Sequence, residues 1–78
     1  MNNANINTEN MYLTTNPSTF IYDSLKAGLT SDSVFSADFT IERIKDLTIG
    51  ESVTILWSNG GINLITRTSE SVWGSKWN

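Results

Sequence analysis

The chain has 78 residues, enough for one small domain and too few for most enzyme architectures. It holds no Cys and no His, which excludes disulfides, thiolate nucleophiles, zinc–sulfur sites, Ser–His–Asp or Cys–His arrangements and His-based metal centres. Five basic and eight acidic side chains leave a net charge of −3: the cations are too few to line duplex phosphates, and the carboxylates too dispersed for nucleic-acid mimicry.

Residues 1–10 are almost wholly polar and rich in Asn, and they read as a flexible N-terminal tail ahead of a single domain over 11–78. They contain no Lys or Arg and no apolar run, so no secretory signal is expected. Pro17 blocks the Asn16–Ser18 glycosylation sequence. The longest apolar stretch, Val53–Trp57, is interrupted by Thr54 and is far shorter than the roughly 20 residues of a membrane span. A cytoplasmic protein is expected. Met11–Thr15 suits a short extended segment, because Tyr and Thr favour strands.

Asn16-Pro17 marks a helix start, with Asn16 as the cap and Pro17 at the first helical position. Phe20, Ile21, Ser24 and Leu25 share one face, and Gly28 supplies a left-handed stop, which predicts a helix over 17–27. Val34–Phe39 alternates, with Phe35, Ala37 and Phe39 on one side, and predicts a strand. At Thr40 the period changes. Ile41, Ile44 and Leu47 fit a short helix over 41–47 capped by Thr40, with a strand continuing through Ile44 as the competing reading.

Gly50 turns the chain. Ser52–Trp57 and Ile62–Thr68 then read as two strands of a hairpin around Ser58-Asn59-Gly60-Gly61. Val72–Trp77 is either a last strand or a tail carrying two Trp. The fold class is α+β: an N-terminal helix, a short second helix, and a three- to four-stranded, mainly antiparallel sheet containing the 52–57/62–68 hairpin. The expected core is Phe20, Ile21, Leu25, Phe35, Phe39, Ile41, Ile44, Leu47, Val53, Ile55, Ile62 and Leu64.

Asp32, Asp38, Glu42, Asp46 and Glu51 cluster loosely along the chain. A glycosidase pair would need a cleft that so small a domain seldom encloses, and solvation with helix-end charge explains them as well. Asp32–Asp38 lacks the alternating ligands and Gly turn of a calcium loop, so no metal site is expected. Asn59-Gly60-Gly61 is a turn and not a phosphate loop, because no Lys-Ser/Thr follows. No cofactor is expected.

Three Trp is generous for this length. Trp57, Trp73 and Trp77 each read either as core or as partner contacts, since Trp buries a large area with few rotatable bonds. With Asp32, Asp38 and Glu51, which suit a basic groove on a protein target, they are the candidate partner-binding residues. The resulting expectation is a non-catalytic, cytosolic protein-binding module, an inhibitor or adaptor. The abundance of Asn and Ile suits an AT-rich gene, as in phages, and so an anti-defence role against a nucleic-acid-handling machine. One alternative is an assembly protein that forms a homo-oligomer through sheet edges or the C-terminal Trp segment. Another is a single-stranded nucleic acid or small-ligand binder, which has only Arg67 and Lys76 as cations near the Trp residues.

Overall fold

A computed structural model describes residues 6–32 and 36–78. Six elements follow in order: β1 (Tyr12–Thr14), α1 (Ser18–Lys26), α2 (Ala37–Lys45), β2 (Ser52–Leu56), β3 (Ile62–Ser69) and β4 (Val72–Trp77). The four strands form one antiparallel sheet in the order β1-β4-β3-β2. The predicted α+β class is the observed one. Residues 1–5 of the expected tail lie outside the described residues.

α1 forms where Pro17 and Gly28 bracket an apolar face. Asn16 does not cap it through its side chain, which bonds the Ser18 hydroxyl; its backbone carbonyl accepts from Thr19 N instead. Gly28 has φ +88°, and Leu29 N returns to Ser24 O, a left-handed termination that closes the last turn.

α2 takes up residues 37–39 of the expected strand. Ser36 is its cap, with the hydroxyl accepting from Phe39 N at 3.1 Å, so the helix begins four residues before the expected start at Ile41. Thr40 is inside the helix and buried, its hydroxyl bonded to Ser36 O. Phe39, expected in the core, is 53% exposed. The expected Phe35 lies outside the described residues. Ala37, Thr40, Ile41 and Ile44 form a stripe at helical spacing that outweighs the short alternation.

The hairpin forms with a shorter loop than expected. Trp57 N donates to Gly61 O, and Gly60, at φ +85°, donates to Trp57 O, so Ser58–Gly60 makes a three-residue loop. Pairing Trp57 with Gly61 instead of Ile62 changes the parity of the whole strand. Asn63 and Ile65 therefore sit opposite Ile55 and Val53 and are fully buried, while the expected core residue Ile62 is 37% exposed and Leu64 is half-buried. Val72–Trp77 is a strand, and it lies inside the sheet between β3 and β1.

The core lies between the helices and one face of the sheet. Phe20 and Ile21 of α1 and Ile41 and Ile44 of α2 meet Ile55, Trp57, Ile65 and Trp73, with Leu25, Leu29 and Val53 at the margin. Leu47 is also buried. Arg67 ties the layers together. Its guanidinium lies 4.9 Å from the Trp73 ring and donates to Lys45 O, Leu47 O and Glu70 O, while Nε donates to Ser69 O. Trp73 Nε1 donates to Ile44 O at 2.9 Å. These contacts satisfy carbonyls at the α2 C-terminus, where a cation is favoured.

Candidate interaction surface

Both helices cover the same face of the sheet, through side chains at the odd positions of β2, β3 and β4. The even positions form the opposite face. There Leu56 pairs with Ile62, Leu64 with Lys76, and Leu13 of β1 with Gly74. Leu56 is 59% and Leu13 47% exposed, and Leu64 and Lys76 are partly buried. At Gly74 a side chain would collide with Met11, whose sulfur is 2.5 Å from the position of a Cβ, so Met11 and Leu13 lie across that strand. A diagonal apolar band thus crosses the helix-free face. Bare apolar surface of this kind marks contact sites more often than scattered exposed residues do.

The β2 edge is the second feature. Trp57 N bonds Gly61 O and Arg67 N bonds Glu51 O, so antiparallel alternation turns the backbone groups of Ser52, Thr54 and Leu56 away from β3. β2 is the last strand of the sheet. Beside it runs a groove under α2, floored by Val53 and Ile44 and walled by Phe39 and Arg43. Glu42, Asp46 and Glu51 line one end. At the other end Ser58 N bonds Thr30 O, and Thr30 N bonds Ser58 Oγ, bringing Asp32 beside Leu56 and Trp57.

A third feature is a cleft between α1 and the β1–β4 side of the sheet. Tyr12 and Trp77 flank it, Phe20 forms its wall, and Asp23, Ser24 and Ser75 supply polar atoms. Tyr12 and Phe20 meet edge to face at 6.1 Å. Behind Ser75 the buried Asn63 accepts the serine's hydroxyl through Oδ1. Its Nδ2, like Trp57 Nε1, has no hydrogen-bond partner among the described residues.

The sequence-nominated residues therefore separate. Trp57 and Trp73 are core residues. Trp77 is 50% exposed, packs over Gly61 and belongs to the aromatic cleft. Glu51 accepts from Thr48 N and Oγ1 at one end of β2, and Asp32 stands at the other. Asp38 lies in the first turn of α2 and accepts from the Tyr22 hydroxyl at 3.0 Å. That hydrogen bond, then the carboxylate charge, raises the Tyr22 pKa above the ordinary 10.0. Sequence reasoning put Ile62 in the core and singled out neither Leu13 nor Leu56. For Ile62 the alternation signal was present, but its assignment to a face depended on loop length.

Among the described residues no group of three acidic, His or Cys side chains could hold a metal ion. Nor is any described helix long and apolar enough to cross a membrane. Comparisons with protein-family models, curated proteins and solved structures found no match.

Proposed function

We propose that this chain is a non-catalytic protein-binding module, an inhibitor or adaptor that engages a protein target. The observation that carries the reading is the one-sided sheet. Helices cover one face, and the other presents Leu13, Leu56 and Ile62 with Leu64 and the Lys76 stem between them. An apolar band edged by polar residues suits burial against a partner, and no described helix covers it. The absence of Cys and His supports the non-catalytic part, and the absence of Cys supports a reducing compartment.

The test is capture from a nuclease-treated bacterial lysate on the immobilised chain, with light scattering of what elutes. The wild type is compared with Leu56→Lys combined with Ile62→Lys. One stoichiometric partner, lost with the double variant while the melting temperature stays within about 3 °C, is the expected result. A self-oligomer without a partner moves the function to homo-oligomeric assembly. A second reading, small-ligand binding, is favoured by the Tyr12–Trp77 cleft. Quenching of Trp fluorescence by a ligand and its loss in Trp77→Ala would establish that reading.

A further inference from the structure

We infer that the β2 edge is a docking slot for an extended, basic segment of a protein, which adds to the sheet as a fifth strand under α2. This inference rests on the protein-binding reading and names the partner's chemistry. Among the described residues Ser52-Val53-Thr54-Ile55-Leu56 ends the sheet, and it carries no charge and no Pro, the two devices that most often guard an edge. The outward backbone groups of Ser52 and Thr54 are a template for strand addition. The groove beside them gives the incoming side chains a seat.

Charge selects the occupant. Glu42, Asp46 and Glu51 line one end of the groove against one guanidinium, Arg43. Glu51 shares the helix-facing parity of Val53, so basic residues at alternate positions of the docked strand meet these carboxylates. The positions between them face the other way and continue the apolar surface of Leu56 and Ile62. A second copy of the chain fits poorly. Twofold pairing through β2 would carry the Glu51 end of one copy against the Leu56 end of the other, where Asp32 and the Thr30–Ser58 contacts already stand.

The probe is a fluorescein-labelled octapeptide of alternating lysine and valine, compared with its glutamate–valine counterpart. Anisotropy reads affinity, and amide hydrogen exchange of the whole chain reads the site. The lysine peptide should bind about tenfold tighter or better than the glutamate peptide, and salt should weaken it. Ser52 and Thr54 amides should gain protection. Thr54→Pro removes an outward N–H without touching the β2–β3 ladder and should weaken binding at least about tenfold. Glu42→Lys with Asp46→Lys leaves the backbone alone and should reverse the preference between peptides.

Equal affinity for both peptides, or protection at Tyr12–Thr14 instead, overturns the inference. So does protection of Ser52 and Thr54 that grows with protein concentration alone, since a second copy then takes the edge. If the peptides fail while Leu56 and Ile62 still capture a protein, the edge inference falls and the module reading stands. If the lysine peptide binds and the Leu56/Ile62 variant captures all that the wild type does, the bare-face reading falls and the edge remains.

Discussion

Arg67 ties more of this fold together than its place between Thr66 and Thr68 suggests. One planar guanidinium reaches carbonyls at the end of α2 and in the β3–β4 turn while lying over Trp73. Arg67→Ala removes these bonds, of which the one to Leu47 O is partly buried, and uncovers the indole face. It should cost about 2–4 kcal/mol, a fall in melting temperature of roughly 10 °C or more. Arg67→Lys should recover little of this, because a point charge cannot span the carbonyls. Denaturant unfolding of both variants checks the claim.

Tyr22 gives a pH prediction of opposite type. Its phenol donates to Asp38, so the protonated form is the one folding favours. The folded pKa is therefore raised, and the contribution is fully present below the unfolded value near 10. It is lost as pH rises through the higher folded value. Phenolate absorbance in a Tyr12→Phe background should titrate above 10, and Asp38→Asn should bring the midpoint down. A midpoint unmoved by Asp38→Asn would remove the hydrogen bond from the account.

At the scale of elements, the hairpin decides most. Its loop has three residues because Gly60 takes the left-handed conformation, and that count fixes which side of β3 is buried. Gly60→Val places a β-branched side chain at positive φ and should destabilise by about 2 kcal/mol or more. Gly60→Asn should cost much less, because Asn tolerates this region. Equal stability of the Val and Asn variants, measured by thermal unfolding, would mean the loop is built differently. The two strands and the turn glycine Gly60 were legible in the sequence. The one-residue difference in loop closure was not, and it exchanged Ile62 and Leu64 for Asn63 and Ile65 in the core. α2 teaches a related lesson. Its cap, Ser36, and its stripe from Ala37 to Ile44 were present in the sequence, but a short alternating run competed with them.

For the whole molecule, the governing fact is asymmetry of cover. Two nine-residue helices can shield one face of a four-stranded sheet, and both lie on the same face. The other face and the β2 edge remain outside the core. The functional reading comes from this arrangement and not from any set of reactive groups. It also separates the nominated residues: Trp77 belongs to the cleft on the β1–β4 side, while Glu51 and Asp32 flank β2 at the far edge. The Leu56 and Ile62 substitutions of the capture experiment are therefore expected to change association and leave folding nearly intact, since neither side chain packs under a helix.

The sequence by itself determined the class of fold, the first helix, the hairpin strands and the exclusion of Cys and His chemistry. These follow from composition and from local periodicity, which act over a few residues. The tertiary structure alone decided that Val72–Trp77 lies inside the sheet, that Trp57 and Trp73 are core, and that both helices pack on the same face. Each depends on register and on where distant segments pack, and a single-residue shift in a loop reverses every side chain beyond it.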